Sequence, residues 1–215
     1  MGDRTGLSDK QSSALDRLSR LPLLGDFYLA GGTAIAVHLG HRSSLDLDFF
    51  SRGPVADLDA LKRAIEQVFD RVEVRAQTDV SLHLLCDGLP IDFVRYPYPP
   101  LEAPEPSPLG VGLAQLLDLA VMKLAAISRR GLRRDFWDLF EILRAGPTLA
   151  AVGEAYTRRF GVREADLYHV LRALTYFDDA EKDPVLPRGM SEKKWGELKE
   201  FFRNEAPKLV AASEV

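Results

Sequence analysis

The sequence predicts an α/β first half built on a mixed β-sheet, followed by an all-helical second half. Three observations predict it. Up to about residue 100, short runs rich in β-branched and aromatic residues alternate with stretches of helical spacing. From Tyr96 to Pro108, six prolines fall in thirteen residues, a composition that leaves little helix. Beyond that break the apolar residues recur at helical spacing. The expected division is 1–100 and 101–215.

Taken in order, residues 8–20 have helical spacing, with Leu15, Leu18 and Leu21 as the apolar stripe. Phe27 to Ala30 reads as a short strand. Gly31-Gly32 follows at once, then a helix from Thr33 to Leu39 that Gly40 ends. After a polar turn, His41 to Ser44, a second strand runs from Leu45 to Phe50. Ala56 to Phe69 is amphipathic and helical. Val72 to Gln77 and Ser81 to Cys86 are strands. Asp87-Gly88 is a hairpin turn signal, with Ile91 to Arg95 returning. Beyond the proline-rich segment, helices are expected over Val111 to Ser128, Arg133 to Arg144, Thr148 to Phe160, Glu164 to Tyr176 and Ser191 to Val210. There is no internal repeat and no low-complexity tract.

Composition narrows the function classes. A chain of 215 residues, 46% hydrophobic and 28% charged, can bury a sizeable core. A formal net charge of −4 argues against a wholesale nucleic-acid wrapper, so nucleic acid would be met by a local basic patch. The single cysteine, Cys86, excludes an internal disulfide and a cysteine zinc site, and its apolar run suggests a buried, inert thiol. The polar N-terminus carries no hydrophobic signal core, and no apolar run approaches the roughly 20 residues of a membrane span. A cytoplasmic location with no membrane partner is expected.

The chemistry-bearing residues cluster around Asp46 and Asp48. In a strand, residues i and i+2 share a face, so both carboxylates are expected to project together while Leu45, Leu47 and Phe49 point the other way. Two acids on one face repel and lose hydration, an arrangement that a cation between them stabilises. Hard oxygen ligands suit Mg²⁺ or Mn²⁺. A third acid, Asp92, lies in another apolar strand-like run. If the two strands are neighbours, three carboxylates and substrate phosphates make a two-metal site for in-line displacement at phosphorus. Upstream, Gly31-Gly32-Thr33 opens a helix, where bare backbone N–H groups favour an anion. A glycine pair alone is a common tight turn. A glycine pair, thirteen residues, Asp-Leu-Asp and then a later strand Asp is far more specific. In this order and spacing it resembles the signature of the polymerase-β-like nucleotidyltransferases.

The helical half adds basic residues. Lys123 sits in a very apolar helix, either snorkelling to water or aimed at triphosphate oxygens in a cleft between the halves. Arg129, Arg130, Arg133 and Arg134 crowd the turn at Gly131, suited to phosphates and equally to a helix C-terminus. Asp135 and Asp138 share a helix face. Asp135 could cap its helix, pair with an arginine, orient Lys123 or act as a base. His38 and His41 flank the Gly40 turn, as solvated loop residues or as groups facing the site.

The run Leu29 to Ser51, with its Ala-Gly-Gly-Thr and Ser-Ser-Leu-Asp-Leu-Asp-Phe-Phe-Ser segments, resembles the first motif block of the AbiEii nucleotidyltransferase toxins, whose fold is similar to that of the MenT toxins. The resemblance continues through Lys123 to Leu139, Leu174 to Ala180 and Trp195 to Phe202, and so covers nearly the whole chain. It implies a nucleotidyltransferase fold for the first half and a helical domain that closes the active site. It maps metal acids onto Asp46 and Asp48, a preceding serine onto Ser44, a catalytic lysine onto Lys123 and a late aspartate onto Asp135. It also implies a toxin paired with a cognate antitoxin protein; some relatives add nucleotides to tRNA acceptor ends. One departure is Leu45, where the family often has a polar residue.

Residues and resemblance together lead to one expectation: an enzyme that moves an NMP from an NTP to a hydroxyl of RNA, tRNA included, or of protein. Asp46, Asp48 and Asp92 would hold Mg²⁺ or Mn²⁺, with Asp92 completing the metal site or activating the acceptor. Gly31, Gly32, Thr33, Ser44, Arg130 and Arg134 would hold phosphates. Lys123 would neutralise charge on the triphosphate, with Asp135 beside it. Two other readings compete: a nucleotide-binding pseudoenzyme acting through a partner protein, and an Asp-x-Asp glycosyltransferase, which leaves the glycine pair unexplained.

Overall fold

The computed structural model describes residues 6–51, 57–182 and 186–212, side chains at 164–166 and 208–212 excepted. The chain divides into two compact units, Met1–Gln115 and Leu116–Val215. Among the described residues no helix is long and apolar enough to cross a membrane.

The first unit opens with α1 (Asp9–Ser19), capped by a reciprocal pair: the Ser8 hydroxyl accepts from the Gln11 N–H while the Gln11 side chain accepts from the Ser8 N–H. A short 3₁₀ turn at Pro22–Asp26 leads into β1 (Phe27–Ala30), and α2 (Gly31–Leu39) follows without a linker. Then come β2 (Leu47–Ser51), α3 (Leu58–Ile65), β3 (Val72–Gln77), β4 (Ser81–Cys86) and β5 (Leu89–Val94). The two-residue pieces β6 (Glu105–Pro106) and β7 (Gly112–Leu113) complete one seven-stranded sheet in the order β3-β4-β5-β2-β1-β7-β6. It is mixed: β2–β5 and β1–β7 are parallel, and the other neighbours antiparallel.

Alternation in the central strands sorts the two faces. Leu47, Phe49, Ile91 and Phe93 are fully buried. Phe49 stacks on its register partner Phe93 at 5.1 Å, and Phe27 meets Phe93 edge-on at 5.3 Å. Each such aromatic ring contributes about 1.5–3 kcal/mol by leaving water. The residues between them, Asp48 and Asp92, are half-buried on the opposite face.

Several expectations shift. Strand β2 starts at Leu47, two residues late, because a bend at Asp46 interrupts it. Leu45 is therefore not a core residue beside Leu47; it is 77% exposed. The carbonyls of residues 44 and 46 are taken instead by side chains of α1 and α2, described below. The expected helix 56–69 is confined to Leu58–Ile65, capped by Asp57; Ala56 lies outside the described residues. The helix expected from Val111 starts at Leu116, because Gly112–Leu113 pairs with β1. The proline-rich segment is not wholly irregular, since Glu105–Pro106 pairs with β7.

The second unit holds α4 (Leu116–Arg130), α5 (Arg133–Ala145), α6 (Leu149–Phe160), α7 (Glu164–Ala173), the short α8 (Asp178–Lys182), absent from the sequence reading, and α9 (Glu192–Ala212). Its aromatic core joins Phe136 to Phe177, Trp195 and Phe202, with ring centroids 5.2, 5.8 and 5.6 Å away. Helix α4 is bound to α6 by a buried ion pair, Arg159 Nη1 to Asp118 Oδ1 at 2.5 Å.

Candidate active site

The acids of the first unit are placed by strand register. Asp48 of β2 lies opposite Asp92 of the parallel strand β5 and opposite Ala30 of β1. Asp92 in turn lies opposite His83 of β4. Register partners point to the same face, so His83, Asp92, Asp48 and Ala30 form one row across four strands. Neighbouring strands are only about 4.8 Å apart. Two carboxylates are thus adjacent on a face where their repulsion has to be offset.

Ala30 hands the chain to α2, whose first residue is Gly31 at φ +64°. A Cβ there would fall 2.0 Å from Asp48 Oδ2, so the Asp48 carboxylate occupies the space that only glycine leaves open. A Cβ on Gly32 would meet Arg42 Nη2 at 2.6 Å and Ser44 Oγ at 3.0 Å. The glycine pair is therefore a place of close approach as well as a turn. The helix start has no side-chain cap.

Asp46 precedes β2 and is held through its own main chain. Thr33, fully buried, donates its hydroxyl to the Asp46 carbonyl at 2.5 Å. Gln11 Nε2 donates to the carbonyls of Ser44 and Asp46, each at 3.2 Å. Ser44 Oγ donates to Asp46 Oδ1 at 2.9 Å. Thr33 and Ser44 thus both act on the acidic loop. Among the described residues no three His, Cys, Asp or Glu side chains already stand as a metal site. The donor set nevertheless fits a hard cation: every candidate ligand is a carboxylate oxygen.

In the second unit, Lys123 is 7% exposed and does not snorkel. Its Nζ lies 2.9 Å from Asp135 Oδ1 and 2.8 Å from Asp138 Oδ2, both carboxylates fully buried. Arg130 Nε and Nη2 grip Asp135 in a fork at 2.8 and 3.0 Å. Burial works against the Lys123 charge, but Asp138 and Asp135 outweigh it and hold the pKa above the ordinary 10.5. Burial likewise opposes ionisation of Asp135, and Lys123 and then Arg130 outweigh it, holding the pKa below 3.8. Arg134 is exposed.

The predicted residues thus gather in two groups. Gly31, Gly32, Thr33, Ser44, Asp46, Asp48 and Asp92 lie together in the first unit. Lys123, Arg130 and Asp135 lie together in the second. Sequence reasoning passed over three participants. Gln11 lies within the expected first helix, where nothing in the spacing marks it. Arg42 had no signal beyond a polar turn. His83 was recoverable: a two-residue hairpin pairing Cys86 with Leu89 also pairs His83 with Asp92. His83 Nδ1 stands 3.0 Å from Asp92 Oδ1.

Comparison with known proteins gives a consistent picture. The chain matches the sequence profile of the family described as "Nucleotidyl transferase AbiEii toxin, Type IV TA system" over residues 13–78 and 71–213. It is 36% identical over 203 residues to the uncharacterized protein aq_aa25 of Aquifex aeolicus, spanning 93% of this chain and 95% of that protein. Among solved structures it resembles MenT4, a nucleotidyltransferase toxin of Mycobacterium tuberculosis, at 19% identity and a TM-score of 0.64, covering 95% of this chain and 84% of that one. It also resembles the antibiotic-resistance factor ANT(2'')-Ia at 16% identity and a TM-score of 0.55, covering 76% and 97% of the two chains. For JHP933 of Helicobacter pylori the values are 19%, 0.51, 97% and 97%. At these identities the structural likenesses carry the fold.

Proposed function

The chain belongs to the AbiEii nucleotidyltransferase toxin family of type IV toxin–antitoxin systems, and from that premise we propose that the acidic loop and row of its first unit are where an NMP is moved from an NTP to an acceptor hydroxyl. The observation that carries this reading is the register pair Asp48–Asp92, with Gly31 leaving room for the Asp48 carboxylate and Asp46 two residues upstream. In the transfer, the acceptor oxygen bonds to the α-phosphorus. The bond from that phosphorus to the oxygen bridging to the β-phosphate breaks, and pyrophosphate leaves with the electron pair. The hydroxyl proton passes to Asp92 or to solvent.

Asp46, Asp48 and Asp92 would hold a divalent cation, Mg²⁺ or Mn²⁺, which when bound neutralises charge on the transferring phosphoryl group. Thr33, Ser44 and Gln11 hold the Asp46 loop in place. The open start of α2 offers N–H groups to a phosphate. Family resemblance assigns Lys123 and Asp135 as catalytic, and the basic turn offers Arg130 and Arg134 to phosphates; the two carboxylate partners of Lys123 also give it a structural task. The acceptor is an RNA, with tRNA the first to try, or a protein, and the partner in the cell is a cognate antitoxin protein.

Incubating the chain with radiolabelled NTPs, Mg²⁺ and total RNA tests this. Label should enter RNA with wild-type protein and be lost with Asp46→Ala. Undiminished transfer by Asp46→Ala would refute the mechanism. Label on protein in place of RNA would reassign the acceptor. An open reading frame for a DNA-binding antitoxin beside this one would support the toxin role.

A further inference from the structure

We propose that His83 is a positioning residue for Asp92, setting which carboxylate oxygen that acid presents to a divalent cation. The inference rests on the reading of Asp92 as a member of the metal-holding acid set.

The geometry begins in the hairpin. Asp87 and Gly88 both have positive φ, +48° and +74°, the backbone of a tight two-residue turn that matches strand twist. That turn pairs Cys86 with Leu89 and leaves no freedom in the register, so His83 must face Asp92. Alternation places Leu82, Leu84 and Cys86 in the core and His83 on the acid face. Across that register pair His83 Nδ1 stands 3.0 Å from Asp92 Oδ1.

This contact does two things. The terminal torsion of an aspartate is broad and roughly two-fold, so a lone carboxylate rotates. The ring seated against Oδ1 restricts that rotation and leaves Oδ2 as the oxygen for a further ligand. It also places a polar ring nitrogen on the outer side of Asp92, opposite the neighbouring Asp48. The pair is about one-third exposed, 36% for His83 and 33% for Asp92, so its contribution to global stability is small. A hydrogen bond that supports a metal-binding carboxylate instead matters for metal affinity and rate, by roughly 10–100-fold.

The test uses the full chain with His83→Ala, His83→Asn and Asp48→Asn. The Asn amide can donate from the position of Nδ1. Mn²⁺ binding to the NTP-free protein is followed by electron paramagnetic resonance, and NMP transfer and thermal unfolding are measured alongside. His83→Ala should weaken Mn²⁺ binding about tenfold and lower kcat by roughly 10–100-fold. KM for NTP and the Tm should stay near wild type, and His83→Asn should recover most of both losses. Wild-type Mn²⁺ binding and kcat in His83→Ala would overturn the proposal. So would equal losses in both His83 variants accompanied by a lowered Tm, the mark of a merely structural pair. Asp48→Asn separates this from the underlying reading: retained transfer there refutes the acid row itself, whereas lost transfer there with His83→Ala unaffected refutes only the role of His83.

Discussion

Lys123 illustrates how a single side chain can carry two meanings. Its ammonium is buried between Asp135 and Asp138, so removing it takes one cation away from two fully buried carboxylates at once. Breaking a buried pair by deleting one partner costs about 3–5 kcal/mol. Lys123→Met should therefore lower the urea midpoint by that equivalent, and a loss below about 1 kcal/mol would contradict the buried network. The pH dependence follows from the directions of the two shifts. Asp135 is held below 3.8, so its contribution is present above that value and lost as pH falls through the folded pKa. Lys123 is held above 10.5, so its contribution is complete below that value and lost as pH rises through the folded pKa. Between about pH 4 and 10 this network contributes a flat term. Activity loss in a Lys123 variant consequently reports on chemistry only if the variant is shown to be folded. At this scale the acids and the glycine pair were legible, because Asp in an apolar strand and Gly-Gly before a helix violate the local pattern. The partners of those residues were not. Nothing in the spacing places Gln11 on the carbonyls of residues 44 and 46, because such long-range hydrogen bonds depend on how α1 is seated.

Elements are held together by the same logic of paired burial. Helix α4 meets α6 through Asp118 and Arg159, whose side chains are 1% and 0% exposed. Desolvation of such a pair consumes most of its Coulombic gain. Asp118→Leu or Arg159→Met alone should destabilise by about 3–5 kcal/mol, while the double replacement should return to within about 1 kcal/mol of wild type or exceed it. Additive losses in a urea double-mutant cycle would show that the two residues do not act as a pair. The amphipathic helices of this unit were legible from periodicity, although α8 was not, since a five-residue helix carries too little period to detect. In the first unit the strands β3, β4 and β5 were read nearly to the residue, because turn chemistry and alternation agreed. Strand β2 was overextended, because Leu45 fits the alternation and only the bend at Asp46 turns it outward. The segment 101–115 misled for a related reason: prolines argue against helix but do not reveal that Glu105–Pro106 and Gly112–Leu113 will pair at a sheet edge.

At the scale of the whole chain, the two groups of candidate residues belong to different compact units, and that separation is measurable by heat. A cation that binds only the native acid row stabilises it by RT ln(1 + [L]/Kd), about 2.7 kcal/mol at a hundredfold excess over Kd. For a unit of this size that corresponds to a rise in Tm on the order of 10 °C. Calorimetry of the full chain with and without Mn²⁺ should therefore show an upward shift in wild type and none in Asp48→Asn. If the units melt separately, Mn²⁺ should move only the transition of Met1–Gln115, and Lys123→Met should lower only that of Leu116–Val215. If they melt together, the single transition should still respond to Mn²⁺ in wild type and in Lys123→Met, and still ignore it in Asp48→Asn. Mn²⁺ that leaves wild type unmoved, or that stabilises Asp48→Asn equally, would remove the metal from the acid row while leaving membership of the family untouched. The measurement thus separates what the row of carboxylates does from what the fold alone implies.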